Sequence, residues 1–326
     1  MNATEEDVRE CYRVILGREA ENDEVVDHHV RMELSALQLA ARFADSREYR
    51  IRHFCKDRFS ISKCFEVDYL AYGLDIASRI SIFSHHYQIL ARDLSAKAFV
   101  EISQHDLTVL KVDCRERYEI KICTPETHYK EGELLIRLEV SGQTLYHLGF
   151  TFAPARAFGL EGETVALITR LQGVKGSQTL FRQAVSDWDG VAPSVLLYEA
   201  VRGVSSAARV RGLVGVSAAR HVSCAFENAA PWRRSYDQFF ESHGFAALHS
   251  GFYCAPLNPE KPASAHLSAP HRKRAERRRE LREEVAQQAG AAWTSFRPTL
   301  SQASETVAPL QNYSSALKAS YAIAAE

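Results

Sequence analysis

Apolar positions recur at two different periods along this chain, and the switch between them divides it. Val8, Cys11, Tyr12 and Ile15 fall at helical spacing behind Thr4 and Asp7, a pair that predicts a reciprocal cap with the shorter acid in place of Glu. Gly17 can end that helix. Further helices are predicted to start at Asn22-Asp23, at Ser35 and, briefly, at Ser46. Ile76, Ile80, Phe83, Tyr87, Leu90 and Leu94 then step by four and three, which predicts one helix over about Asp75 to Ala98, with Asp75 as cap. From Val109 to Phe152 the period is two. Tyr118, Ile120 and Ile122 alternate, then Leu134, Ile136, Leu138 and Val140, then a run through Phe150 and Phe152, with Ser141-Gly142 as a hairpin signal.

Past this meander the pattern predicts a strand over 164–171, helices over 177–187 and 193–208, and a short buried strand over 213–216. Pro193 sits at a first-turn position of the second helix. A helix over 235–242 stopped at Gly244, a final strand over 245–254 and a charged helix over about 270–287 complete the reading, with Pro256, Pro259 and Pro262 interrupting the chain before the last. From Ala289 the chain is rich in Ala, Ser, Thr and Gln without durable periodicity, and is expected to dock peripherally or hold no fixed place. The fold class is α+β, a mixed and largely antiparallel sheet with flanking helices. Its expected divisions are a helical module over 1–55, an α+β domain over 60–287 and a tail over 288–326.

Composition changes this picture only by exclusion. The chain has 326 residues, 46% hydrophobic and 25% charged, which is ordinary for a globular protein with a sizeable core. Lys and Arg total 40 against 41 Asp and Glu, so any basic site is local, and no global attraction to nucleic acid or anionic lipid is predicted. Seven cysteines without a C-x-x-C pair favour thiols in a reducing compartment over a disulfide framework or a zinc site; no metal is expected. The acidic start Met-Asn-Ala-Thr-Glu-Glu-Asp is unlike a secretory signal, and no run approaches the roughly 18 apolar residues that span a bilayer. A cytoplasmic location is the expectation.

Several short motifs fall in one order: Arg117-Tyr118-Glu119-Ile120, Glu131-Gly132-Glu133-Leu134, Leu171-Gln172-Gly173, Gly190-Val191-Ala192-Pro193, Val214-Gly215-Val216-Ser217 with His221, and Ser235-Tyr236-Asp237-Gln238-Phe239-Phe240. With His85-His86-Tyr87 before them and Lys273-Arg274-Ala275-Glu276-Arg277-Arg278-Arg279 after, the series resembles the bacterial VirK/YbjX-like family. That resemblance implies a role in the bacterial envelope, in virulence and in resistance to antimicrobial peptides. Near the N-terminus, Tyr12-Arg13-Val14-Ile15-Leu16-Gly17-Arg18-Glu19, closing with Phe43-Ala44-Asp45-Ser46-Arg47-Glu48-Tyr49, resembles a helical module fused to surface-polysaccharide proteins. Ala20 and His28-His29 depart from its usual Pro and Trp.

The order strand, Gly-containing turn, helix, strand, helix, strand resembles the Gcn5-related acetyltransferase scaffold. There, the turn after the fourth strand offers backbone N–H groups to a pyrophosphate. Gln172, Gly173, Lys175 and Gly176 look like a shortened version of that turn, and acyl-coenzyme A or an aminoacyl-tRNA is the donor so implied; a purely structural turn is the alternative. His221, just past a strand end, is a candidate base, and Tyr236 joins it as a candidate catalytic residue. A structural histidine and helix capping at Tyr236-Asp237 are the plainer readings. His85 and His86 diverge by about 100° on a helix, so they suit packing better than a shared metal. The segment His271 to Glu284 holds seven Lys or Arg and four Glu, with Arg274, Arg278 and Arg282 down one side and its bases early, against the macrodipole. An anionic small molecule, a charged tRNA or an acidic protein surface is the expected partner, against a salt-bridged solvent helix; sequence-specific nucleic-acid binding is not expected. The choice is therefore between an acyl or aminoacyl transferase and a non-catalytic adaptor.

Overall fold

The computed structural model describes residues 2–16, 18–44, 46, 61–113, 116–125, 129–223, 233, 235–258 and 269–298. Its first helices form where capping chemistry predicts. The Thr4 hydroxyl accepts from the Asp7 N–H at 3.3 Å while the Asp7 carboxylate accepts from the Thr4 N–H at 2.7 Å, opening α1 (Glu5–Val14). Asn22 caps α2 (Asp23–Val30) through the Val25 N–H, and Ser35 precedes α3 (Ala36–Ala44). Val8, Cys11, Tyr12, Val26, Leu39 and Phe43 share a small core of their own, against which Phe65 packs. α1 ends at Val14 with Ile15 as its C-cap; Gly17, expected to stop it, and residues 47–50, where a short fourth helix was expected, lie outside the described residues.

The single helix expected over 75–98 is two. Asp75 caps α4 (Ile76–Asp93) through the Ser78 N–H at 2.6 Å, but Leu94 is extended (φ -109°, ψ 135°). Ser95 then opens α5 (Ala96–Gln104) by accepting from the Ala98 N–H. Leu94 stays buried at the break, so the apolar stripe continued while the helix did not. Periodicity reports burial, and a cap decides where the backbone turns.

The meander is β1 (Leu107–Asp113), β2 (Arg117–Cys123), β3 (Leu134–Val140) and β4 (Gln143–Pro154), with Ser141 and Gly142 both left-handed (φ 48° and 84°) in the tight turn. Next come β5 (Thr164–Gly173), α6 (Gln178–Asp187), α7 (Pro193–Ala207) and β6 (Gly212–Val216). The last elements are α8 (Asp237–Ser242), β7 (Ala246–Ala247), β8 (Phe252–Pro256) and α9 (Ala269–Ser295). The final strand expected over 245–254 is thus a short hairpin, because Gly251 is left-handed and its N–H closes a turn onto Leu248.

The eight described strands form one sheet in the order β1-β2-β3-β4-β5-β6-β8-β7, in which, among the described residues, β5 and β6 are the parallel pair and the others run antiparallel. The α+β class with a largely antiparallel sheet is therefore observed. Ile120, Ile136, Leu148, Phe150 and Phe152 are buried in the main core, and α4, α7 and α9 pack against the sheet strands. The charged helix runs beyond 287. Val285, Ala289 and Trp293 are buried at steps of four, and the Trp293 indole N–H donates to Asp93 at 3.2 Å. Small residues had hidden that stripe. Through Ser295 the stretch expected to be a tail is helical, and it places Ala289 and Trp293 in the core.

Candidate functional site

The parallel pair sets the site. β5 and β6 are in register from Val165 opposite Gly212 to Ile168 opposite Gly215. β6 then ends at Val216, whereas β5 continues beside β4 to Gly173. At Leu171 the backbone N–H donates to the Tyr236 hydroxyl at 3.1 Å. Tyr236 is wholly buried, and its ring lies 4.4 Å from that of His221 at a tilt of 51°. The two candidate catalytic residues, fifteen positions apart in sequence, are in contact.

His221 follows the 3-10 turn Ala218–Arg220 and is 1% exposed. Its Nδ1 accepts from the Ser223 N–H at 3.2 Å, and its Nε2 lies 2.9 Å from Glu131 Oε1. A backbone N–H only donates, so Nδ1 carries the lone pair and Nε2 the hydrogen, beside the Glu131 carboxylate. Arg170 approaches the other Glu131 oxygen at 2.5 Å, and its guanidinium covers the Tyr129 ring at 5.0 Å. Burial pushes the Glu131 carboxyl up, but the His221 hydrogen bond and the Arg170 charge outweigh it, and the net displacement is downward. Burial also holds the Tyr236 phenol well above its ordinary range, so it stays protonated at neutral pH. Asp237, expected to cap its own helix, instead accepts from the Ala218 N–H at 2.8 Å and fixes the turn beneath His221.

Glu131 reaches this place because its segment lies flat on β4 and β5. Its carbonyl accepts from the Thr169 hydroxyl at 2.6 Å, and a Cβ on Gly149 would stand 2.2 Å from that same carbonyl. Two residues on, Glu133 is 1% exposed and receives Lys63 (2.9 Å), the Tyr69 hydroxyl (2.8 Å) and the Tyr87 hydroxyl (2.6 Å). This cluster ties 61–70 and α4 to β3. The rest of His85-His86-Tyr87 is also spent on packing: His86 Nδ1 accepts from the Phe152 N–H at 3.1 Å, and His85 lies 2.8 Å from the Thr164 hydroxyl.

The candidate phosphate turn starts where the Tyr236 contact ends. Gln172 and Gly173 belong to β5, paired with His147 and Tyr146. A Cβ on Gly173 would meet only ordinary contacts at 3.5 Å, so close backbone approach is not what that position serves. Lys175 and Gly176 form the turn proper, with Gly176 left-handed (φ 89°), and α6 opens from Ser177 without a side-chain cap. In α9, Arg278 Nε donates to the Asp189 carbonyl at 2.7 Å, and Arg282 lies close enough to Glu199 to oppose the rise that burial causes in its carboxyl. Arg274 is exposed beside Gly190. The ridge read from the sequence is thus part brace and part surface.

Sequence reasoning picked out Glu131-Gly132-Glu133 as a motif but gave neither carboxylate a role, and it did not single out Arg170 or Tyr129. Two acids flanking a glycine ahead of a largely apolar strand were the available signal.

A family model described as "Protein of unknown function (DUF535)" matches residues 28–291, which include every residue of the His221 cluster. Tyr12 to Glu19 precede the matched region. No curated protein and no solved structure matches.

Proposed function

From the premise that this chain belongs to the DUF535 family, which is the VirK/YbjX-like family its motifs resemble, we propose that it transfers an acyl or aminoacyl group at the end of the β5–β6 pair. The observation that carries this reading is the meeting of His221, Tyr236 and Glu131 where β6 stops and β5 goes on. The single parallel pair among the described strands resembles that of the Gcn5-related acetyltransferase scaffold, although α6 and α7 both cross between its members where that scaffold has one helix. The uncapped start of α6, next along β5, suits the phosphates of acyl-coenzyme A or of a charged tRNA. An envelope component related to antimicrobial-peptide resistance is the acceptor class that the family resemblance implies.

In this mechanism an acceptor amine or hydroxyl attacks the donor's carbonyl carbon and gives its proton to His221 Nδ1, displacing the Ser223 N–H. Glu131 holds the imidazole by Nε2 and stabilises it once protonated. Tyr236 donates a hydrogen bond to the departing thiolate or ribose oxygen, which takes up the proton that His221 received and so returns the imidazole to its neutral form. With a donor found by thermal-shift screening, His221→Ala is expected to lower turnover by about a hundredfold or more while donor affinity stays within about twofold. Equal turnover in a variant that merely melts earlier would make His221 a structural residue and end this reading.

Exposed cations favour a second reading, an adaptor for an acidic partner. Arg272, Lys273, Arg274 and Arg279 are all exposed near the start of α9, where the helix dipole disfavours them. Reversing Arg272, Arg274 and Arg279 to Glu is expected to leave the melting temperature nearly unchanged and to abolish salt-sensitive binding of a polyanion such as heparin. Undiminished heparin binding in that variant would remove the adaptor reading.

A further inference from the structure

The turn between α6 and α7 builds a second site, beside the edge strand β1, whereas His221 follows β6. α6 ends at Asp187, and Asp189 and Gly190 are both left-handed (φ 55° and 85°). The Gly190 N–H reaches the Val185 carbonyl at 2.7 Å and the Val191 N–H the Trp188 carbonyl at 2.9 Å. This tight reversal sets Asp187, Trp188 and Asp189 along a cleft of about 280 Å³ whose other walls are β1 and α9. Leu110 and Val112 of β1 and Leu281 and Val285 of α9 give it an apolar lining.

The polar groups around that lining carry both signs. Trp188 is 4% exposed and stacks edge-on against Tyr118, with ring centres 5.3 Å apart. Its indole N–H is buried and has no hydrogen-bond partner among the described residues, a cost that a ligand or water accepting it would lift. Arg277, 3.3 Å from Asp189, brings further donors to the same cleft. The carboxylates of Asp187 and Glu284 line it as well, and Asp187 is held in place by the Tyr118 hydroxyl at 2.7 Å. A simple anion meets these acids, and a simple cation meets Arg277 and a donor it has no means to satisfy. A molecule with one charge of each sign and an apolar arm answers every group present.

We propose that this cleft binds a small zwitterion with an apolar side chain, an aliphatic α-amino acid, its carboxylate on the Trp188 indole N–H and Arg277 and its ammonium on Asp187 and Glu284. The volume is at the small end for ligand sites, and suits a ligand of that size. The site is independent of the His221 cluster, and stands whether or not the chain transfers acyl groups.

L-Leucine is the probe, with 3-methylbutylamine and 4-methylpentanoate as its single-charge counterparts, titrated into the full chain labelled with nitrogen-15. The readout is the indole signal of Trp188, assigned by its loss in Trp188→Phe; only Trp232 and Trp293 give other indole signals. Leucine is expected to shift that signal and to bind about tenfold or more tightly than either counterpart. Trp188→Phe and, separately, the surface change Glu284→Gln are each expected to weaken leucine by about tenfold, the second keeping the test intact if the first disturbs folding. No shift with any probe at millimolar concentration, a counterpart that binds as well as leucine, or full affinity in Glu284→Gln would each overturn the proposal.

Discussion

Glu133→Ala is expected to lose about 3–5 kcal/mol of stability, the usual penalty for stripping one partner from a buried ion pair. Lys63 and Glu133 are both nearly inaccessible, so the change leaves an ammonium in the core with no counter-charge. It also removes the acceptor of the Tyr69 and Tyr87 hydroxyls. For a chain of this size the melting temperature is expected to fall by on the order of 10 °C. The paired change Lys63→Met with Glu133→Leu is expected to recover part of the loss, because it takes away both charges together but still leaves the Tyr69 and Tyr87 hydroxyls without their acceptor. Denaturant midpoints of the single and double variants decide the matter. A single variant within about 1 kcal/mol of the parent would mean that the cluster is not desolvated as described.

Acid is expected to unfold the protein through its buried histidines before its carboxylates titrate. Burial pushes the His86 imidazole down from 6.5 to about 3, with Lys63 and His85 adding to the effect. Burial, then Arg170 and Arg137, push His147 down to about 4. Both groups bind protons more readily unfolded than folded. Their contribution is therefore complete above pH 6.5 and is lost as pH falls from there toward 4 and 3. The structural reason is plain at His86, whose Nδ1 accepts from the Phe152 N–H; a proton there would set two donors face to face. Within that window the slope is expected to reach up to about 1.4 kcal/mol per pH unit for His86, and less for the partly exposed His147. Chemical denaturation at pH 7.5, 6 and 5 measures it, and His86→Gln should flatten the curve. A stability constant across those three values, or a slope untouched by His86→Gln, would refute the assignment.

Much of the architecture was legible because it depends on local patterning. Alternation at Tyr118, Ile120 and Ile122 and at Leu134 through Val140 gave the meander, and Thr4, Asn22, Asp75 and Pro193 marked helix starts that the structure retains. Two of the errors came from reading helix extent off the apolar stripe. Leu94 kept the apolar step through a helix break, and Ala289 with Trp293 carried a helix through a stretch whose small residues looked aperiodic.

The candidate site was only half visible. His221 and Tyr236 stand out by their place at a strand end and a helix start, which are local facts. Glu131 and Arg170 become their neighbours only when β4 and β5 carry Gly149 and Thr169 under the 131–133 segment. The cleft beside β1 depends still more on assembly, since its lining comes from 110–112, 187–189 and 277–285. The sequence by itself determined the elements, the α+β class and the family, because capping, alternation and motif order are written in neighbouring residues. Only the tertiary structure decided which buried charge faces which. That depends on how closely distant backbones approach, and on which polar groups remain without a partner once they have.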